Sequence, residues 1–373
     1  MKHLPLYEQI YRDILENIEK GIYKVGDRLP SEKELSEKYE VSRITSTKAF
    51  EMLVEDGMVV RIAGKGTFVA EPGEIDVAGD DYIPAAPKAT EKPMIGVIFD
   101  GFGPCFGEEL LKGIGYESDE RGYTVMFRVS CGSIESETQA IDDMKNAGVA
   151  GIIIMCVHDE NYNANLLKLV IDKFPVISVD RRLKGLPISY VGTDNEKAAV
   201  ELTNYMLDRG RKYIAFATPK DELTSTLVER YTGYAEALRM HGMVVDDRLK
   251  IADLQATLAS SNRAVAIEED KKRIKKFIKE SDKLDAFFAT EHDIACIIYQ
   301  CLKELKLEKK YPIICFDSIG NITNEYHFTH VKQSEEQMGR TSVRLLDEAI
   351  AGESDPQVVL VPHRIIESTD HIV

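Results

Sequence analysis

The sequence predicts an α/β protein: an N-terminal winged helix-turn-helix domain, a linker, and a two-lobed domain built on parallel sheets. Three observations carry this expectation. Residues 1–70 show three helical patterns followed by two short β-prone runs around glycines. Residues 94–373 alternate apolar runs with amphipathic helices, the pattern of parallel sheets covered on both faces. Between them, EPGEIDVAGDDYIPAAPKATEKP (71–93) is rich in Pro, Ala, Gly and acids and has no hydrophobic period, as a solvated linker would.

The size fits. A chain of 373 residues holds two or three domains at roughly 100–200 residues each. The apolar fraction of 44% suffices for packed cores, and 29% charged residues make a soluble surface. The longest apolar run, VAGIIIMCV (149–157), is half of the ~18 residues a membrane helix needs and reads as a buried strand. The start is studded with acids and lacks a signal-peptide core, so a cytoplasmic protein with no membrane partner is expected. Six cysteines show no CxxC spacing, which points to free thiols rather than disulfides or zinc. Neither a metal nor a cofactor is expected. The net charge of −16 repels nucleic acid at long range. Its distribution is uneven: residues 1–70 hold 11 Lys and Arg against 12 Asp and Glu, while residues 71–373 hold 36 against 51. A nearly neutral head precedes an acidic body.

In the head, Leu4, Tyr7, Ile10, Tyr11, Ile14, Leu15 and Ile18 recur at steps of three and four, an amphipathic helix broken at Gly21 and Gly26. SEKE (31–34) is a capping box, with Ser31 and Glu34 each satisfying a backbone N–H of the other. The helix it opens turns Leu35 and Tyr39 inward. Ser42 caps the next helix, 43–56, which buries Ala49, Phe50 and Leu53. Its other face is expected to show Arg43, Thr45, Ser46, Thr47 and Lys48, with no acid among them. VVRIAGKGTFV (59–69) then forms a hairpin about Gly64-Lys65-Gly66. Such a unit can lay its third helix in a major groove and its wing tip against a backbone. Taken from the residues alone, a solvated basic face remains the other reading.

In the body, the strand candidates are MIGVIFD, YTVMFRV, GIIIMCV, FPVISVD, YIAFAT, AFFAT and PIICFD, separated by helices near 106–121, 136–147, 161–173, 195–209, 226–241 and 292–306. About 280 residues are better accommodated by two α/β lobes than by one sheet. Ligands in such folds bind beyond the carboxyl ends of strands. That rule selects Asp100 to Phe106, Cys156 to Asp159, Asp180-Arg181-Arg182, Thr290 to His292 and Asp317-Ser318. Asp100, Phe102, Phe106, Cys156, His158, Arg181, His292 and Asp317 are thus candidate ligand contacts. They supply the fixed donors, acceptors and flat apolar faces that a polyhydroxyl molecule needs. Strand-end ion pairs at Asp180-Arg181 and Asp317 are the other reading.

LPSEKELSEKYEVSRITSTKAFEMLVEDGMVVRIAGKGTFV (29–69) resembles the DNA-binding domain of the gluconate-repressor (GntR) family, which reads PSE-x-x-L, then VSR-x-T, then L-x-x-x-G, then G-x-GTFV. The resemblance implies DNA contacts at Arg43, Thr45, Lys65 and Gly66, and a helix-turn-helix opening at Ser31 and Glu32. The expected interface is therefore Ser31, Glu32, Ser42, Arg43, Thr45, Ser46, Thr47, Lys48, Arg61, Lys65 and Gly66. One departure is that Ser46-Thr47-Lys48 stands where the family carries a hydrophobic residue and then Arg.

The body resembles the effector domain of the lactose/galactose-repressor family, a periplasmic-binding-protein-like fold. The likeness rests on FPVISVDRRLKGLPISYVGTDN (174–195), ERYTGYAEAL (229–238) and CFDSI with HFTHVKQSEEQMGRTSVRLL (315–346). It implies that Phe106 stacks on the ligand and that Arg181, Arg230 and Asp317 bind it. The family's A-N-D becomes Thr290-Glu291-His292, which places an imidazole where relatives carry a carboxylate.

The combination resembles arabinose-repressor-type regulators. It implies a homodimeric transcriptional repressor that reads double-stranded operator DNA and responds to a small sugar between the lobes. The pentose arabinose or a related sugar is the first expectation; a sugar phosphate, sugar acid or nucleoside is the alternative. Lobe 1 is expected at about 94–191 and 334–360, and lobe 2 at about 192–333 and 361–373. No G-x-S-x-G, H-E-x-x-H or P-loop occurs, so no enzyme activity and no catalytic residue is expected.

Overall fold

The computed structural model describes residues 5–39, 41–62, 66–70, 92–158, 163–220, 224–258, 262–319, 327–352 and 355–369. The chain divides into two units, Met1–Thr90 and Glu91–Val373. Most of the expected linker, residues 71–91, lies outside the described residues.

The head runs α1 (Leu6–Glu19), α2 (Glu32–Lys38), α3 (Arg43–Glu55), β1 (Val59–Ile62) and β2 (Gly66–Val69). The Ser31 capping box forms: the Glu34 carboxylate accepts from the Ser31 backbone N–H at 2.7 Å, and Ser31 Oγ accepts from the Glu34 N–H at 3.3 Å. Ser42 Oγ caps α3 by accepting from the Thr45 N–H at 3.3 Å. β1 and β2 pair antiparallel, from Val59 opposite Val69 to Ile62 opposite Gly66. The expected stripes meet in one core: Ile10 and Ile14 of α1, Leu35 of α2, Ala49, Phe50 and Leu53 of α3, and Val59 and Val69 of the hairpin.

The body holds two six-stranded sheets. Lobe 1 orders its strands β13-β7-β6-β5-β3-β4 and lobe 2 orders them β14-β12-β11-β10-β8-β9. In lobe 1 these are β3 (Met94–Phe99), β4 (Thr124–Val129), β5 (Ile152–Ile154), β6 (Val176–Val179), β7 (Ser189–Thr193) and β13 (Val358–Val361). Lobe 2 uses β8 (Ile214–Pro219), β9 (Lys250–Leu254), β10 (Ala286–Ala289), β11 (Ile313–Phe316), β12 (Thr329–Gln333) and β14 (His363–Ile366). Every pairing is parallel except β12 with β14. That antiparallel edge departs from the all-parallel expectation. Its cause is connectivity: β14 follows β13 after Pro362 alone, with no helix to return the chain to the far end of the sheet.

The helices are α4 (Glu108–Arg121), α5 (Ile134–Asn146), α6 (Ala164–Ile171) and α11 (Glu335–Ala351) on lobe 1, and α7 (Asn195–Leu207), α8 (Ser225–Met240), α9 (Arg263–Glu280) and α10 (His292–Leu305) on lobe 2. The chain passes between lobes at Asp194, Ser334 and Pro362. Each lobe has a helix pair pressed backbone to backbone at glycine. A Cβ on Gly113 of α4 would sit 2.2 Å from the Glu336 carbonyl oxygen, and one on Gly233 of α8 would sit 2.1 Å from that of Glu196. Side chains are excluded there because the contact is with main chain, which cannot swing aside. No helix among the described residues is long and apolar enough to cross a membrane.

Candidate functional site

The first site is the outer face of the head. Arg43 opens α3, and Thr45, Thr47 and Lys48 follow within its first two turns. Thr45 is held in place by a hydroxyl contact with Ser42 at 2.9 Å. Lys48 lies over the Tyr7 ring, 4.4 Å from its centroid, so its charge is presented from the seam between α3 and α1. Arg61 of β1 pairs with Glu32 of α2 at 2.6 Å and lies over the Phe50 ring. These two expected contacts thus hold the hairpin to the helix-turn-helix. Gly66 opens β2 with φ at 121°, and a Cβ there would meet the Arg28 guanidinium at 2.8 Å. Lys65, at the expected wing tip, lies outside the described residues.

Ser46 corrects the sequence reading. It is fully buried and donates to the Glu32 carbonyl oxygen at 3.0 Å. With Ala49, Phe50 and Leu53 it forms the i, i+3, i+4, i+7 set that faces the core. Grouping it with its polar neighbours ignored the 100° step of a helix. It fixes α2 against α3 rather than reading a groove. Ser46→Ala is expected to lower head stability by about 1 kcal/mol. In denaturant melts of the variant, that loss should appear while the ranking of operator sequences by gel shift stays unchanged.

The second site is built at strand ends of the two lobes. In lobe 1, Asp180 follows β6 directly, and in lobe 2, Asp317 follows β11. Both are non-glycine residues in the left-handed region, with φ of 62° and 57°. Each donates its N–H to the next strand at the same step, Asp180 to the Val191 carbonyl at 2.9 Å and Asp317 to that of Val331 at 3.0 Å. Strained backbone repeated at equivalent points of two lobes is characteristic of residues held for function.

Around these turns the polar groups are organised. Arg181 Nη1 donates to the carbonyls of Cys156 at 2.8 Å and Val157 at 2.7 Å, and pairs with Asp100 at 2.9 Å. Asp100 also accepts from the Gly132 N–H at 2.7 Å. Arg230, buried in α8, donates from Nε to Asn195 at 2.9 Å and from Nη1 to the Thr290 carbonyl at 2.8 Å. Its guanidinium lies 3.9 Å from the centroid of the Phe316 ring. Gln333 donates to both oxygens of Asp317, at 3.2 and 3.0 Å. Burial, with Glu335 and Asp180 adding like charge and Arg230 opposing, pushes the Asp317 carboxyl up to about 8.

The lobes meet here. The Arg182 N–H donates to Ser225 Oγ at 3.3 Å, and Lys184 faces Glu229 at 3.9 Å. The loop carrying Phe106 also faces lobe 2: the Cys105 thiol is pushed up to about 12, first by burial and then by Asp293 and Asp317. Phe102 is half exposed and packs edge-on against Phe127, while Phe106 rests on the lobe 1 core.

Two candidates sit otherwise than expected. The Cys156 side chain lies in the lobe 1 core, and its carbonyl is what Arg181 uses. His292 packs edge-on to Phe328 and contacts Cys296 Sγ at 3.3 Å, and burial lowers its pKa. An alternating β-run explains Cys156: it continues the inward set of β5. His158 is half-buried with no hydrogen bond to Nδ1 among the described residues, and Asp159 lies outside them. Sequence reasoning missed Glu335, Gln333 and Asn195. Glu335 opens α11, accepts from the Gly107 N–H at 2.6 Å, and is pushed up to about 7 chiefly by burial. Its signal was position: like Asn195, it follows a chain crossing between lobes.

A winged helix-turn-helix head joined to a two-lobed body with a polar strand-end site defines a ligand-responsive DNA-binding regulator. Residues 6–69 match the family of bacterial regulatory proteins described as gntR. Residues 95–311 match the periplasmic binding protein domain, and the chain belongs to that family. Over 358 residues it is 22% identical to the arabinose metabolism transcriptional repressor of Geobacillus stearothermophilus, covering 94% of this chain and 92% of the relative. Among solved structures it resembles a transcriptional regulator CelR–cellobiose complex (TM-score 0.62, 18% identity, 91% of this chain, 98% of the other). It also resembles the transcription regulator CcpA of Lactococcus lactis (TM-score 0.61, 20% identity, 74% and 98%). At these identities the structures establish the fold.

Proposed function

We propose that this chain is a cytoplasmic, homodimeric transcriptional repressor whose hold on operator DNA is set by a small neutral carbohydrate bound between the two lobes. The observation that carries the reading is the presence, in one chain, of a groove-reading head and a body whose paired strand-end turns gather Asp100, Arg181, Arg230 and Asp317. The homodimer follows from the logic of paired half-sites. The relative from Geobacillus stearothermophilus, named an arabinose metabolism repressor, supports the repressor role.

Charge favours a neutral ligand over a phosphate or sugar acid. Asp100, Asp180, Asp317, Glu335 and Glu291 crowd the strand ends, and the carboxyls of Asp317, Glu335 and Glu291 are all raised, by burial first. A bound anion would raise these carboxyls further and so deny the ligand their charged, hydroxyl-accepting form. Hydroxyl groups can instead donate to the carboxyl oxygens and accept from the free edges of the arginines.

Gel shift on the protein's own upstream DNA, with and without neutral pentoses and hexoses and their phosphates, tests this. One neutral sugar should shift the operator dissociation constant at least fivefold. Arg43→Ala should weaken operator binding by about 1–3 kcal/mol and leave the thermal shift with that sugar intact. Equal loss of both activities, or release by phosphates alone, would contradict the proposal.

A further inference from the structure

Lobe 2 contains a cavity of about 260 Å³ that belongs neither to the head nor to the strand-end site. It lies at the opposite ends of the strands. Ile313 opens β11 and Thr329 opens β12, whereas Asp317 follows the far end of β11. Its other walls are the C-terminal turn of α7, with Tyr205 and Arg209, and the segment after α10, with Glu308.

The lining is chemically unfinished. Glu308 Oε2 is buried and has no hydrogen-bond partner among the described residues. Arg211, on the same cavity, has a guanidinium with no ion pair or hydrogen bond among them. A buried carboxylate oxygen without a donor is unfavourable, because the hydration it lost is not replaced. The two opposite charges do not cancel each other, because they do not pair across the cavity. Flat ring surface lines the same cavity: Tyr299 stacks on His327 at 6.0 Å, and Phe328 lies edge-on to Tyr299. Tyr205 is itself capped by the Arg209 guanidinium at 3.5 Å.

We infer that this cavity is a second ligand site, for a small polyhydroxylated molecule of monosaccharide size. A hydroxyl donates to Glu308, another accepts from Arg211, and the C–H face of the ring lies on the aromatic wall. On the same lining the Tyr205 hydroxyl donates to Glu367 at 3.2 Å and accepts from the Thr329 hydroxyl at 3.4 Å, a polar edge beside the rings. A lining of aromatic rings with Arg209, Arg211, Glu308 and Glu367 carries charge of both signs and suits a ring with several hydroxyls better than an ion of one sign.

The test uses the full-length protein and calorimetric titration with D-ribose, L-arabinose, D-glucose and D-galactose. The expected result is a saturable site that survives Arg181→Ala and weakens at least tenfold in Glu308→Leu and, separately, in Arg211→Met. Circular dichroism melts confirm that each variant is folded. If Glu308→Leu disturbs folding, Arg211→Met decides alone. Crystals soaked in the binding sugar should show it against Tyr299. No site sensitive to either variant, or uptake of free amino acids in place of all four sugars, overturns the inference. Loss of all sugar binding in Arg181→Ala locates binding between the lobes only, and so also overturns this site while sparing the function proposed above.

Discussion

Replacing Arg181 with methionine is expected to abolish the sugar response while leaving sugar-free operator binding within about twofold. The side chain is the hub of the lobe 1 wall. Its Nη1 alone satisfies two carbonyls and the Asp100 carboxylate. The paired side chains are 18% and 14% exposed, so water can replace little of what is lost. Removing one partner of a buried pair costs roughly 3–5 kcal/mol. Methionine keeps most of the volume, and Asp100 retains the Gly132 N–H and the Ser130 hydroxyl, which places the loss near the lower end. The head has its own core in its own unit, so it should keep its grip on DNA. Thermal shift with the cognate sugar should vanish, and fluorescence anisotropy on operator DNA should no longer respond to it. Arg181→Lys should restore part of the stability but little of the response. A rigid planar guanidinium holds Nη1 at that point, whereas a lysine ammonium on a shorter, flexible stem is not held there. Operator binding that falls in step with the sugar response would show that Arg181 holds the whole chain together rather than the ligand.

The head was largely legible because its signals are local. The Ser31 box and the Ser42 cap each involve residues three apart, and the glycines at 64 and 66 mark the turn. Ser46 was misread because polarity and helical angle disagree there, and angle decides. In the body, strands with uniform apolar runs were clear, and β7, β9, β12, β13 and β14 were not. They lie at or near sheet edges or carry mixed residues, as in KIADL of β9 and THVKQ of β12. The helix α9, RAVAIEEDKKRIKKFIKE, hides its inward face behind eleven charges, and its buried Asp270 accepts from the Gln255 and Ala256 N–H groups at 2.8 and 2.7 Å. The strand-end rule found Asp100, Arg181 and Asp317 because it depends on chain direction alone. Glu335 and Asn195 escaped because their importance comes from the crossings between lobes, which are long-range facts. The second cavity was invisible for the same reason. Nothing local in the sequence joins Arg211 to Glu308.

Stability of the sugar-free protein is expected to fall as pH rises from about 4 to about 8, and Asp317→Asn should flatten that fall. An unfolded aspartate releases its proton near 3.8 and a glutamate near 4.5. In the folded protein burial carries Asp317 to about 8 and Glu335 to about 7. Between these limits the folded state holds more protons than the unfolded one, so raising pH favours unfolding. The contribution is complete below pH 4 and gone once the pH passes through the folded values. Asparagine has no proton to lose and can still meet Gln333, so the variant should melt higher than the parent at pH 8.5 and show a shallower slope below it. The same carboxyl connects pH to the ligand. A sugar hydroxyl donates more strongly to a carboxylate than to a carboxylic acid, so binding should expel the Asp317 proton. Sugar affinity should then increase through pH 7 to 8, in the direction opposite to stability. Calorimetry at pH 7 in buffers of different ionisation enthalpy should report release of up to one proton per site. Asp317→Asn should remove both the proton release and most of the affinity. A binding enthalpy independent of buffer would mean that the ligand does not draw on this carboxyl, and Asp317 would then serve only to hold the β11 turn.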